Sequence, residues 1–144
     1  MHADVPGAHA LLATIEPASA GPGLLEPVLD AVLKASGGER GLALDATGRC
    51  RPAVRGIEPA PEDLAELAAG LSRGSAHVAS YDDALLSRML SGPGAPGEPP
   101  ADPRVVPLTA GDDTLAWVAL ESAPSDPVGF ASVAAHAASL MAWV

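Results

Sequence analysis

The sequence RVVPLTAGDDTLAWVALES, residues 104–122, decides the fold class of this chain. Apolar residues lie on both sides of Gly111-Asp112-Asp113, and a Gly/Asp cluster of this kind supplies the backbone conformations that a tight reversal requires. The stretch therefore predicts a β-hairpin. Ser125-Asp126 and Pro127 follow it and are typical of a helix start, so the hairpin is expected to lead into a last helix that runs to Val144.

The first half of the chain predicts a long helix, a second hairpin and a second helix. Gly37-Gly38 ends the first helix, whose apolar residues repeat with helical spacing: Leu24, Leu25, Val28, Leu29, Val32 and Leu33. Residues 39–45 and 50–56 are expected to form two short strands joined by a turn at 46–49. The second helix opens at Pro61-Glu62-Asp63 and closes at Arg73-Gly74.

The remaining segments carry weaker patterns. Residues 75–80, SAHVAS, predict a short strand, and Asp82-Asp83 begin a short helix that reaches Leu90. Residues 92–103 are rich in Pro and Gly, and we expect a mobile loop there. Residues 1–23 are expected to be a partly flexible segment with a short helix around Ala8 to Glu16, followed by one domain over residues 24–144.

Composition excludes several classes of function. The formal net charge is −10, and the chain contains only one lysine, so it lacks the basic surface that nucleic acids require. The single cysteine, Cys50, excludes an internal disulfide framework and fits a reducing compartment. The N-terminus lacks the basic region of a signal peptide, and no apolar run is long enough to span a membrane. A cytoplasmic protein without membrane or nucleic-acid partners is expected, and the abundance of Ala, Gly and Pro is typical of GC-rich, bacterial coding.

The order of elements predicts an α+β fold. Antiparallel hairpins near both ends and helices between them indicate a central antiparallel sheet. We expect the long first and last helices on one face of this sheet, and the short helix at 82–90 with the loop after it on the other face.

Several segments are similar to GAF domains. They are LLEPVLDAVLKASGGERGLALD at residues 24–45, Val106-Pro107-Leu108 before the last hairpin, Leu115 to Glu121 in its second strand, and the closing helix around Phe130 to Val144. The resemblance implies a GAF-like (profilin/PAS-like) fold and a sensory or regulatory role in signalling or transcription. Ala116 departs from the pattern, because the family commonly has Gly in this strand.

A roadblock-type domain is the architectural alternative. ERGLALDATGRCRPAVRG, residues 39–56, followed by a Leu/Ala-rich helix also resembles that family. Roadblock domains normally have a longer central helix and lack an additional short helix with a Pro-rich loop, which favours the GAF resemblance.

No constellation of catalytic residues is evident, and we expect neither an enzyme nor a cofactor. The histidines, His2, His9, His77 and His136, have no metal-ligand spacing in the sequence. Cys50 is flanked by Arg49 and Arg51, but strand neighbours point to the opposite face, so a structural thiol is favoured over a redox sensor. The known activities of GAF domains are not supported either: one cysteine is too few for a methionine sulfoxide reductase, the setting of Cys50 differs from a bilin attachment site, and the chain has no Asn for a cyclic-nucleotide site.

The function predicted from the sequence is a small-molecule-sensing or regulatory domain that signals through its flanking helices. Its ligand pocket is expected between the sheet and the helix at 82–90, lined by Leu42, Leu44, His77, Tyr81, Met89, Val106 and Trp117. We also expect a homodimer through the first and last helices, because the last helix carries a broad surface of small residues. A structural homodimerisation module without a ligand, GAF-like or roadblock-like, is the alternative.

Overall fold

The computed structural model describes residues 4–16, 23–38, 40–46, 50–57, 60–73, 89–90, 104–110, 113–121, 124 and 126–142. Within these residues the helices are α1 (Val5–Ala13), α2 (Leu25–Ser36), α3 (Pro61–Arg73) and α4 (Pro127–Met141), and the strands are β1 (Gly41–Asp45), β2 (Ala53–Arg55), β3 (Arg104–Ala110) and β4 (Asp113–Leu120). The strands form one antiparallel sheet in the order β2-β1-β4-β3. The predicted α+β class is confirmed. The strand at 75–80 and the loop at 92–103 lie outside the described residues, as does the helix at 82–90 except for Met89 and Leu90, which are helical.

The hairpin predicted at residues 104–122 is confirmed. Strands β3 and β4 pair with Arg104 opposite Leu120 and Ala110 opposite Asp113, and the register shifts between Leu108 and Thr109. On its other side β4 pairs with β1, so β4 lies inside the described sheet. The first hairpin is also present, but β2 is shorter than the expected 50–56 because Pro52 has no N–H to donate to a strand ladder.

One face of the sheet is covered by α1, α2 and α4, which share a single apolar core with the strands. Helix α2 is buried along most of its length and ends at Gly37, whose φ of 81° is the left-handed conformation that glycine adopts readily. Helix α4 begins as predicted: Asp126 accepts a hydrogen bond from the Gly129 N–H at 3.1 Å, and Pro127 occupies the first turn. The long first and last helices therefore share a face.

The opposite face is covered by more than the expected short helix and loop. Leu64, Leu67 and Ala68 of α3 pack there, together with Met89 and Leu90. The sequence correctly predicts α3 as an amphipathic helix but not the face of the sheet that its apolar stripe covers. A second, smaller apolar cluster therefore separates the sheet from solvent on this side.

The N-terminal helix α1 is part of the core rather than a peripheral segment. It runs over residues 5–13 instead of the expected 8–16, because Asp4 caps it by accepting from the Gly7 N–H at 2.9 Å. Ala8 and Leu12 are fully buried against α2 and α4. The Asp4 N–H also donates to the Lys34 carbonyl at 2.8 Å, which joins the start of α1 to α2. None of the described helices has the length and apolar character needed to span a bilayer.

Candidate functional site

The structure brings together four of the seven residues predicted to line a pocket. Leu42, Leu44 and Met89 are buried in the smaller cluster, and Trp117 is half-buried against them. Leu42 lies opposite Ala119 and Leu44 lies opposite Trp117 across the β1–β4 pair, which places these side chains on one face. His77 and Tyr81 lie outside the described residues.

Val106 lies on the other face of the sheet, so its assignment to the same pocket is wrong. It pairs with Val118, which is fully buried under the helices, and directly paired residues point to the same side. Its neighbours Val105 and Pro107 therefore point the opposite way, and Val105 packs on the smaller cluster. The sequence pattern of β3 is apolar on both faces and does not reveal which one Val106 occupies.

The predicted pocket face is packed by apolar side chains. Leu42, Leu44 and Met89 are each less than 5% exposed, and Leu67 and Leu90 fill the space against them. Because these side chains contact one another, the described part of this face resembles a hydrophobic core rather than a ligand cavity.

An open groove lies instead between β3 and α4, on the edge of the described sheet. Its volume is about 290 Å³, and its lining is apolar except for one hydroxyl: Val106, Pro107, Thr109, Phe130, Ala131, Ala134 and Ala135. Phe130 forms a buried wall of this β3–α4 groove. No lining residue is ionisable, so the groove can accept an apolar group but offers no general acid or general base.

The exposed face of α4 continues this uncharged surface. No Asp, Glu, Lys or Arg occurs from residue 127 to the end of the sequence. Val128 is 83% exposed, and Ala131, Ala135 and Ala142 are exposed on the same side of the helix. We call the β3–α4 groove together with these four residues the neutral face. A neutral face of this kind stands out on a chain whose net charge is −10.

Only part of the predicted dimer surface is available on the outside of the molecule. Helix α2 is covered by α1, and its exposed residues are the charged Glu26, Asp30 and Lys34. On α4, four members of the predicted small-residue surface belong to the core of their own chain: Val133, Ala137, Ala138 and Met141. Ala131 and Ala142 are exposed and Ala134 is half-buried. On the described residues, α4 therefore offers exposed small residues, whereas the exposed residues of α2 are charged.

Cys50 is buried, as is typical of a structural thiol. It is only 7% exposed and belongs to the larger apolar cluster. Its backbone N–H donates to Asp45 Oδ2 at 2.6 Å, which fixes the bend before β2. A redox-sensing thiol has to reach solvent, so this burial favours the structural interpretation.

A contact between His9 and His136 has no signal in the sequence, because the two residues are 127 positions apart. His9 of α1 lies against His136 of α4, with their Nδ1 atoms 3.1 Å apart. His9 Nε2 is also 2.9 Å from Ser132 Oγ. Only the packing of the first helix on the last one brings these side chains together.

Comparison with protein-family models, with curated proteins and with solved structures found no match to this chain. Its function is therefore inferred from the placement of its own residues.

Proposed function

We propose that this protein is a non-catalytic regulatory module of the cytoplasm that works as a homodimer, with the neutral face of β3 and α4 as the contact surface. The observation that carries the proposal is the uncharged, small-residue exposed side of α4 on a strongly acidic chain. The resemblances to GAF and roadblock domains both accord with an α+β regulatory module and remain proposals.

Charge favours this surface over others on the described molecule. Two copies that each carry a net charge of −10 repel one another, and the repulsion is smallest where neither copy places a carboxylate at the contact. Contact at the neutral face also removes Val128 and the exposed alanines from water. Alanine side chains let two helices approach closely, so backbone and Cβ atoms can pack across the contact.

The spacing along α4 fits a two-fold symmetric pair. Val128, Ala135 and Ala142 are separated by seven residues and lie in line on the exposed side. In an antiparallel pair of α4 helices centred on Ala135, Val128 of each copy meets Ala142 of the other. Such a contact is self-complementary, as a two-fold homodimer requires.

The test compares two Ala→Arg variants by sedimentation at micromolar to millimolar concentrations. Wild type is expected to be dimeric, and Ala135→Arg places two cations at the two-fold axis, which raises the dissociation constant of the dimer at least about tenfold. Ala65→Arg is the matched control, because Ala65 is exposed on α3 and lies outside the neutral face. A monomeric wild type, or an Ala135→Arg variant as dimeric as wild type, would contradict the proposal.

A small-molecule sensor is the second candidate, and the β3–α4 groove is the observation that favours it. Its volume of about 290 Å³ is close to the lower end of ligand-pocket volumes, and its lining suits an apolar ligand. We place the ligand here rather than beside Leu42 and Leu44, whose side chains are packed. An apolar compound that raises the melting temperature of wild type but not of a groove-filling Ala134→Leu variant would support the sensor, provided that both proteins have the same oligomeric state.

A further inference from the structure

His9 and His136 form an isolated pair of imidazoles between α1 and α4. Their ring centroids are 5.3 Å apart and their planes differ by 24°, so the rings meet through their Nδ1 edges. Each is the only ionisable side chain within its helix, and both are half-buried, so solvent reaches the pair. The polar contacts of His9 with His136 and Ser132 thus lie in a helix interface that is otherwise formed by apolar and small residues.

Ser132 gives this pair a defined orientation. The hydrogen bonds have a self-consistent setting in which His9 donates from Nε2 to Ser132 Oγ at 2.9 Å. His9 Nδ1 then carries a lone pair and accepts from the Nδ1–H of His136. A metal-binding histidine is typically oriented by a hydrogen bond that its other ring nitrogen donates to an acceptor.

The separation of the two Nδ1 atoms matches the space around one metal ion. With metal–nitrogen bonds of about 2.0–2.1 Å, two ligand nitrogens lie about 3.4 Å apart in a tetrahedral site and about 2.9 Å apart at adjacent corners of a square or octahedral site. The observed 3.1 Å falls between these values. To bind one ion, each half-buried ring has to turn so that its lone pair points about 40° away from the line between the two Nδ1 atoms.

We propose that His9 and His136 bind one divalent first-row transition-metal ion through their Nδ1 atoms and thereby clamp α1 to α4. Imidazole nitrogens favour Zn²⁺, Ni²⁺ and Cu²⁺ over Mg²⁺ and Ca²⁺, and the net charge of −10 attracts cations to the protein. The ion replaces the hydrogen atom between the two Nδ1 atoms, and the proton of His136 moves from Nδ1 to Nε2. Within the described residues no group of three or more His, Cys, Asp or Glu side chains surrounds a common point, so water completes the coordination.

The clamp lies inside one chain, and its success or failure is independent of the proposed dimer. The ion binds the folded state, in which α1 is docked on α4, and not the unfolded state. Its binding therefore raises the melting temperature. The clamp residues are not members of the neutral face, so metal titration and sedimentation of the metal-free protein report on separate residues.

The test is calorimetric titration of the untagged protein with ZnCl₂ and NiCl₂, with MgCl₂ as the comparison salt. Saturable binding of one Zn²⁺ or Ni²⁺ per chain is expected, with a rise in melting temperature and no response to Mg²⁺. Ser132→Ala should weaken binding by about tenfold, as is typical for the loss of an orienting partner, and His9→Ala or His136→Ala should weaken it further.

The control variant is Glu66→Ala, which removes an exposed carboxylate from α3 and should bind as wild type does. Circular dichroism of each variant establishes that it is folded, and His136→Gln, which keeps a polar side chain of similar size, serves if His136→Ala does not fold. Absence of saturable Zn²⁺ and Ni²⁺ binding would overturn the clamp. Binding that survives in both folded histidine variants, or that Glu66→Ala abolishes, would overturn it as well.

Discussion

At the scale of single residues, Gly41 determines how closely α2 approaches the sheet. A Cβ atom at Gly41 would lie 2.8 Å from the Ala119 carbonyl oxygen and 2.9 Å from Leu33 Cδ2. The first of these neighbours is backbone in the adjacent strand and cannot rotate away. Only glycine fits without displacing β4 or α2.

We therefore expect Gly41→Ala to lower the free energy of unfolding by about 1–3 kcal/mol, as overpacking of a core does. Gly38→Ala is the matched control, because its added Cβ meets only the flexible Glu121 and Ser36 side chains, at 3.0 Å and 3.4 Å. Urea unfolding of the two variants measures the difference. A Gly41→Ala variant as stable as Gly38→Ala would mean that β1 and α2 adjust to the added methyl group.

Residue contacts were the part of the structure least accessible from the sequence. Val106 and Trp117 were predicted to share a pocket, but the pairing of Val106 with Val118 turns them to opposite faces. A strand that is apolar on both sides contains no signal for its register. The sequence likewise gives no signal for the contact of His9 with His136, because this contact depends on how two helices that are distant in sequence pack.

At the scale of elements, α1 shows how one polar residue fixes both the start of a helix and its attachment. Asp4 caps α1 through its Oδ1, and its Oδ2 lies 3.5 Å from Lys34 Nζ of α2. The side chains of this ion pair are about half exposed, so water weakens their attraction.

The cap should therefore contribute more to stability than the ion pair does. We expect Asp4→Ala to lower the free energy of unfolding by about 1 kcal/mol, the usual cost of removing an N-cap. Asp4→Asn keeps a capping oxygen and loses the charge, so its effect should be only a few tenths of a kcal/mol. Thermal unfolding of the two variants separates the contributions, and equal losses would assign the effect to the ion pair instead.

The sequence predicted elements well where local chemistry specifies them. Gly37 ends α2, and Asp126 and Pro127 begin α4, each for a reason that acts within a few residues. The docking of α1 was missed because an Ala-rich, nearly uncharged segment carries no polar face to contrast with an apolar one. Its position depends on the surfaces of α2 and α4, which a local pattern does not contain.

At the scale of the whole molecule, the described ion pairs connect neighbouring elements at the surface of the fold. Arg55 of β2 donates to Asp30 of α2 at 2.7 Å and 3.3 Å, and Arg40 donates to Glu121 at 2.8 Å across the ends of β1 and β4. The hydrogen bond that Arg55 donates to Asp30 raises the pKa of Arg55 by more than burial lowers it, and the charges of Asp30 and Glu26 raise it further. Because the pKa of Arg55 is higher in the folded state, its stabilising effect is fully present at pH values below the unfolded-state pKa. The effect is lost only as the pH rises through the still higher folded-state pKa. The contribution of Arg55 is therefore constant across the neutral range.

The net charge of the molecule predicts how salt affects the proposed dimer. Each copy carries a net charge of −10, whereas the neutral face carries no charged side chain, so the dominant electrostatic effect on association is long-range repulsion. The screening length falls from about 30 Å at 0.01 M salt to about 3 Å at 1 M. Raising NaCl over this range should therefore lower the dissociation constant of the dimer in sedimentation experiments, and the Ala135→Arg variant should remain the weaker dimer at each salt concentration. An interface built from ion pairs responds in the opposite direction, because screening weakens attraction between unlike charges. A wild-type dimer that loosens with added salt would thus place the contact on the charged surface, away from α4.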